Sequence, residues 1–108
     1  MSITQQASPI LEYADRLFAP LVREGIFKSY DELLKSLLLD YIDRQITLYE
    51  GQARAFEVKH EMTFEEYTRN LRGKASIAEE DEWMDWEEAL VFLRKCNKIK
   101  RQIVDAAS

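Results

Sequence analysis

Acidic side chains near the start of the last predicted helix have the spacing of a metal site. Glu79, Glu82 and Asp85 follow one another at steps of three residues, which places them on one face of a helix. Hard cations such as Mg²⁺ prefer several converging oxygen ligands of this kind. Glu57 and His60 add a carboxylate and an imidazole at the end of an earlier helix. A solvated acidic helix start and a surface histidine are the commoner outcomes, so we predict no metal and no cofactor.

The spacing of these three acidic residues is nevertheless similar to that of the paired carboxylates in all-helical nucleoside triphosphate pyrophosphohydrolases. Such an enzyme also needs two glutamates three apart on the preceding helix. Residues 57–66 contain four glutamates, and no two of them have that spacing. We keep a metal-dependent helical nucleotide hydrolase as an alternative function and predict that the chain is not an enzyme.

Two tryptophans on the same helix indicate an apolar contact surface. Trp83 and Trp86 lie three residues apart and are flanked by acids. Such a pair usually covers a seam between packed helices. The alternative is an exposed aromatic and acidic groove that receives a basic partner, because tryptophan and tyrosine dominate the energetics of binding surfaces.

Composition restricts the class of protein. The 108 residues have room for one domain, and charged residues at 32% with three glycines and two prolines favour helix. A net charge of −5 disfavours general binding to nucleic acid. Cys96 is the single cysteine, so no disulfide forms within the chain, which fits a reducing compartment. No apolar run approaches the roughly 20 residues of a membrane span, and we predict a cytoplasmic protein.

The element that must organise the rest is a long amphipathic helix over residues 29–59. Ser29 and Glu32 form a capping box at its start, and Gly51 is a plausible point for a bend. About 30 residues make a rod of roughly 45 Å, whereas a globule of this length has a radius of gyration of about 13 Å. We therefore expect an extended protein that completes its core with a second copy or a partner. The predicted dimerisation residues form one apolar stripe: Leu34, Leu38, Ile42, Ile46 and Tyr49.

Three further helices are predicted, over residues 9–24, 64–72 and 77–104. Pro9 follows a capping serine and favours a helix start, and Pro20 predicts a kink or break near Phe18 and Ala19. Gly25 supplies the turn into the long helix. Residues 2–7 are polar and uncharged, and nothing local decides between a frayed tail and a short strand. The last helix has acids before Leu90 and bases after it, as the helix macrodipole favours.

Two stretches resemble short helical antitoxins of prokaryotic toxin–antitoxin pairs. Residues 24–34, EGIFKSYDELL, resemble the inter-helix turn of ribbon-helix-helix antitoxins. Residues 56–93, with the phrases FEVKHEMTFEEY and EDEWMDWE, look like the C-terminal part of short antitoxin-like proteins. The resemblance implies a non-catalytic protein that masks a toxin. It also implies DNA as a partner, but a ribbon-helix-helix dimer reads DNA with a two-stranded ribbon, and residues 3–6 carry no Arg or Lys for that purpose.

Together these observations predict an all-α protein, an elongated helical bundle of about four helices with one long central helix. We expect a homodimer that acts as an antitoxin and binds a small basic protein. The predicted partner-binding residues combine apolar side chains with an acidic rim: Glu80, Asp81, Trp83, Met84, Asp85, Trp86, Leu90 and Leu93. A purely structural helical dimer remains a second alternative, for which replacement of both tryptophans by alanine should unfold the protein.

The hydrolase alternative makes a direct prediction. A nucleotide hydrolase should bind Mg²⁺ or Mn²⁺ tightly at Glu79, Glu82 and Asp85, because its metal must be held before the phosphates arrive. Isothermal titration calorimetry of the purified chain measures this directly. Absence of binding heat with both ions would remove the hydrolase from consideration.

Overall fold

A computed structural model describes residues 3–106 of the chain, with side chains from residue 9 onward. It contains four α-helices: α1 Ile3–Arg23, α2 Tyr30–His60, α3 Phe64–Leu71 and α4 Ile77–Ala106. No strand occurs between residues 3 and 106, so the predicted all-α class is confirmed.

The first helix differs most from its prediction. α1 begins at Ile3 and contains both prolines, so a helix start at Pro9 is wrong. A tail or strand is also wrong for residues 3–7, while Ser2 lies outside the described residues. Gln and Ala at positions 5–7 are good helix formers, which accounts for a helix that extends past the Ser-Pro signal. The helix also continues past Pro20 to Arg23 without a break, since one proline removes a single hydrogen bond.

The other three helices begin within one residue of their predicted starts, each after a capping residue. The Ser29 hydroxyl accepts a hydrogen bond from the Glu32 amide at 3.2 Å. Both hydrogen bonds of a capping box form between Thr63 and Glu66, at the start of α3. Ser76 makes the same two bonds with Glu79 before α4, at 3.0 and 3.2 Å. These bonds satisfy amides that a helix start leaves unpaired, which explains why local sequence predicts these starts.

Two turns depend on a left-handed backbone conformation. Gly25 has a φ of +77° between α1 and α2, and Gly73 has +73° after α3. Glycine adopts this conformation without the steric cost of a Cβ atom. Gly51 lies inside α2, which is one continuous helix from Tyr30 to His60.

The chain forms two compact units, Met1–Leu38 and Leu39–Ser108, and each is described by itself. The N-terminal unit contains α1 and the first residues of α2. Among residues 9–38, Leu33 is the large side chain that is fully buried. The Tyr30 hydroxyl donates a hydrogen bond to the Asp15 carboxylate at 2.6 Å. A single domain over residues 1–108 stays a prediction.

The core of the C-terminal unit is aromatic and is centred on Trp86. This indole is 1% exposed and packs with the buried residues Ala53 and Tyr67. Its ring centroid lies 5.6 Å from that of Phe56 on α2 and 5.3 Å from that of Phe64 on α3. One side chain of α4 therefore contacts both neighbouring helices. Ala89 and Cys96 continue the buried face of α4, so Cys96 serves as a small packing residue.

The burial of Trp86 makes a stability prediction. Trp86→Ala should lower the free energy of unfolding by about 3–5 kcal/mol, because it removes the ring on which α2 and α3 both pack. Met84→Ala is the matched control on the same helix, since Met84 is 54% exposed, and should change stability by less than about 0.5 kcal/mol. Urea denaturation followed by circular dichroism measures both values. Equal values for the two variants would contradict a core centred on Trp86.

Candidate functional site

The candidate site is a groove between α2 and α4 in the C-terminal unit, which we call the acidic groove. Its volume is about 560 Å³, within the range of sites that accept a ligand or an inserted side chain. α2 contributes apolar and aromatic side chains, and α4 contributes two carboxylates. The lining residues are Leu48, Tyr49, Gln52, Ala55, Phe56, Asp85 and Glu88.

Aromatic packing holds the walls of the acidic groove in place. The Tyr49 ring stacks on Phe92 of α4 with centroids 5.4 Å apart, and the Phe56 ring stacks on Trp86 at 5.6 Å. Further along the same two helices, Lys100 Nζ lies 2.7 Å from the Asp43 carboxylate. Packing rather than this exposed ion pair accounts for most of the α2–α4 contact energy, because exposed pairs contribute little.

The acidic groove combines apolar walls with two carboxylates at its rim. Asp85 and Glu88 are exposed, and the four ion pairs formed between residues 9 and 106 use other side chains. Carboxylates of this kind attract cationic side chains and orient an approaching partner. The surface can therefore receive an apolar side chain with Lys or Arg beside it.

The predicted acidic residues lie on the surface of α4. Glu80, Asp81 and Asp85 are exposed, and so is Met84. Of these four, Asp85 lines the acidic groove. The three predicted acidic residues are thus exposed, as binding of a partner would require, although only Asp85 lines the acidic groove.

The two tryptophans occupy positions inside the C-terminal unit. Trp86 lies in the core. Trp83 is partly buried, donates from Nε1 to the Thr68 hydroxyl at 2.8 Å, and stacks on Phe64 with centroids 5.7 Å apart. Their contacts are with side chains of this chain, as expected for tryptophans that cover a seam between helices. A direct contact between Trp86 and a partner would require this core to open.

Leu90 and Leu93 face a different cleft from the acidic groove. They are partly buried and line a space of about 330 Å³ together with Phe64, Glu57 and Glu65. The predicted apolar residues of α4 are therefore divided: Trp86 lies in the core, Leu90 and Leu93 line this second cleft, and Met84 is exposed. Spacing along one helix did not reveal the division because it does not say which residues of α4 meet α2 or α3.

The predicted dimerisation stripe is also divided. Ile42 is buried, and Ile46 and Tyr49 are partly buried, with Tyr49 stacked on Phe92 of the same chain. Leu34 and Leu38 are exposed. The second half of the stripe therefore packs within the chain, whereas its first two residues leave apolar surface open.

The three candidate metal ligands make separate contacts. The Glu79 carboxylate accepts from the Ser76 amide, and this hydrogen bond holds the pKa of Glu79 below its usual value. The Glu82 carboxylate accepts from Lys59 Nζ and lies 2.7 Å from His60 Nε2. Asp85 lines the acidic groove. Within residues 3–106, no three His, Cys, Asp or Glu side chains come together as a metal site would require.

His60 packs against the aromatic core and also contacts the Glu82 carboxylate. Its ring centroid lies 4.3 Å from that of Tyr67 and 6.0 Å from that of Trp86, while its Nε2 reaches Glu82. Burial raises the pKa of Tyr67 above its usual value. His60 is therefore a partly buried histidine packed at the end of a helix and not the surface histidine that was expected.

Sequence reasoning missed most of the residues that line the acidic groove. Leu48, Tyr49 and Phe56 follow the apolar periodicity of α2, but that periodicity does not say which face of α4 they meet. Glu88 is one acid among seven between Glu79 and Glu88, and nothing local distinguishes it. Only the packing of α2 against α4 selects these residues.

Comparison with known proteins identifies no relative of this chain. No family model, no curated protein and no solved structure matches this chain. The resemblance to antitoxins therefore stays a prediction.

None of the helices between residues 3 and 106 is both long enough and apolar enough to cross a membrane.

The Glu82 contacts predict a pH-dependent contribution to stability. The hydrogen bond from Lys59 is the main reason that the pKa of Glu82 is below its usual value. A depressed carboxyl pKa stabilises the fold above the unfolded value of about 4.3, and this stabilisation is lost as the pH falls through the folded pKa. Glu82→Gln should cost less than about 1 kcal/mol at neutral pH, since the pair is partly exposed.

Urea unfolding at neutral pH and at about pH 3 measures this effect. The difference between wild type and Glu82→Gln should shrink at the lower pH, because the stabilisation by the Glu82 carboxylate is lost as the pH falls through its folded pKa. Glu80→Gln on the same helix is the control and should show little difference at either pH, because Glu80 is exposed. A difference for Glu82→Gln that does not change with pH would contradict this origin.

Proposed function

We propose that this chain is a non-catalytic protein-binding protein, and specifically the antitoxin of a toxin–antitoxin pair that masks a small basic toxin in the cytoplasm. The observation that carries the proposal is the acidic groove. Its aromatic walls, Tyr49 and Phe56, stack on Phe92 and Trp86, and its lining includes Asp85 and Glu88 in exposed positions.

The chemistry of the groove favours a basic protein over a small metabolite. Its polar lining consists of two carboxylates, one amide and one phenol, and carboxylates attract cationic groups. Long-range attraction between a chain of net charge −5 and a basic partner speeds their encounter. Burial of the partner's apolar side chain against Tyr49 and Phe56 then slows dissociation.

The antitoxin role rests on the resemblance of residues 24–34 and 56–93, and the structure contributes the surface that such a role needs. DNA binding has less support, because residues 3–7 are helical and so provide no ribbon strand. We therefore propose masking of a protein as the activity.

Charge reversal tests the partner-binding role. Asp85→Lys/Glu88→Lys should weaken partner binding by at least about tenfold, because like charges then face each other across the interface. Glu57→Lys/Glu65→Lys makes the same change of charge at the second cleft of the same unit and should leave binding intact. Tagged wild type purified from the native host supplies the partner, and titration calorimetry with that purified partner gives the affinities.

Growth assays test the antitoxin activity itself. The captured protein expressed alone should arrest a bacterial host, coexpression with wild type should restore growth, and coexpression with Asp85→Lys/Glu88→Lys should not. Recovery of wild type alone would overturn the proposal of a protein partner. A captured protein without toxicity would overturn the antitoxin role and leave the partner groove standing.

A further inference from the structure

Two carboxylates dominate the polar lining of the acidic groove. Asp85 and Glu88 are exposed and lie three residues apart on α4, so they share one face of that helix. Neither takes part in the ion pairs formed between residues 9 and 106, and no basic residue in that range lines the groove. Gln52 of α2 adds an amide oxygen. A cation with several hydrogen-bond donors would satisfy this lining.

The aromatic rings of α2 supply a surface on which a flat cation can lie. Tyr49 and Phe56 both line the acidic groove and are partly buried. Each ring uses one face for a stack, Tyr49 on Phe92 at an interplanar angle of 19° and Phe56 on Trp86 at 17°. The face of an aromatic ring attracts a cation within about 6 Å of its centroid. The groove therefore combines aromatic surface on one helix with carboxylates on the other.

One cation of the chain already lies on this aromatic stack. Lys95 Nζ is 5.1 Å from the centroid of the Phe92 ring, and Tyr49 stacks on the same ring. Lys95 is exposed, so burial does not force it into this position. The attraction of the stacked rings for a positive group is thus observed within the chain, and it does not depend on Asp85 or Glu88.

Arginine meets these requirements better than lysine. Its guanidinium is flat, so it can lie on a ring while the N–H groups at its edge donate to neighbouring carboxylates. The ammonium of lysine is compact and strongly hydrated, so it loses more hydration beside the apolar side chains of Leu48 and Ala55. The methylene groups of arginine can pack along the same apolar side chains.

We propose that the acidic groove selects arginine over lysine, and that an arginine of the partner lies against Tyr49 and Phe56 while its guanidinium donates to Asp85 and Glu88. The inference rests on the proposed function, because it names the residue type by which a basic protein partner is recognised. It also goes beyond attraction between opposite charges, since an acidic surface without aromatic walls gives a flat guanidinium no ring to lie on.

Three capped tripeptides separate the contributions of charge and shape. They carry arginine, lysine or citrulline between two leucines, and citrulline has the planar end group of arginine without its charge. NMR titration of the isotope-labelled full chain gives each affinity. The arginine peptide should bind at least about fivefold more tightly than either of the others, because it alone combines charge with a planar group. Equal affinities for arginine and lysine, or no saturable binding of the arginine peptide, would overturn the proposal.

The same titration locates the bound peptide. Amide signals of residues 48–56 and 85–88 should shift most, because these segments contain the lining of the acidic groove. Shifts confined to residues 9–38 or to residues 60–75 would place the peptide elsewhere and overturn the proposal.

Substitutions separate the two parts of the site. Asp85→Asn/Glu88→Gln should weaken binding of the arginine and lysine peptides by at least about fivefold, because both lose charge-assisted hydrogen bonds. Tyr49→Leu should remove most of the preference for arginine and leave the lysine affinity within about twofold, because an apolar side chain remains but a ring is lost. Glu57→Gln/Glu65→Gln makes the matched change of charge at the second cleft and should leave both affinities unchanged.

A preference for arginine that survives the loss of both groove carboxylates would overturn the proposed site. Circular dichroism checks that each variant is folded. If Tyr49→Leu does not fold, the three peptides on wild type and on Asp85→Asn/Glu88→Gln still decide the question.

The preference for arginine and the proposed function can fail separately. Equal peptide affinities, together with capture of a basic toxin whose binding needs Asp85 and Glu88, would overturn the preference and leave the masking of a toxin standing. A clear preference for the arginine peptide in a chain that captures no protein would overturn the masking role and leave the selectivity of the acidic groove standing.

Discussion

The packing of Trp86 is the interaction on which the C-terminal unit depends. One indole on α4 contacts Phe56 of α2 and Phe64 of α3, so removal of its ring affects both neighbouring helices. Aromatic rings bury large areas and add favourable edge and stacking interactions. The same contact fixes Phe56 in the wall of the acidic groove. The stability of the core and the shape of the candidate site therefore depend on the same side chain.

Charged residues around this core divide into two groups with different consequences. Glu79 and Glu82 are engaged by Ser76, Lys59 and His60, so their carboxylates stabilise helix α4 and its contact with the end of α2. Asp85 and Glu88 remain exposed beside apolar walls. The first group contributes to structure, and the second group gives the surface a charge that a partner can recognise. Acids that look equivalent in sequence thus have different roles.

The two compact units also differ in how completely they bury their apolar side chains. The C-terminal unit buries Trp86, Ala89 and Cys96 along one face of α4. The N-terminal unit has two helices in place of three, and it leaves Leu11 and Leu34 exposed where they line a cleft between these helices. Two helices can cover only one face of each other, whereas a third helix closes a core.

Local interactions are the part of this protein that its sequence determines. Ser29, Thr63 and Ser76 mark the starts of three helices because capping bonds join residues only three apart, and apolar periodicity predicts α2 and α4 within two residues of their observed bounds. The same reasoning failed at residues 3–8, where Ser8 and Pro9 indicate a start but good helix formers continue the helix.

Only the tertiary structure decided which faces of these helices meet. Periodicity shows that Trp86, Leu90 and Met84 lie on α4, but it does not say that Trp86 enters the core, that Leu90 faces a second cleft and that Met84 remains exposed. Likewise, the stripe from Leu34 to Tyr49 is continuous in sequence but is covered only in its second half. The physical reason is that burial depends on contacts between residues far apart in the chain, such as Phe56 with Trp86, which local spacing does not specify.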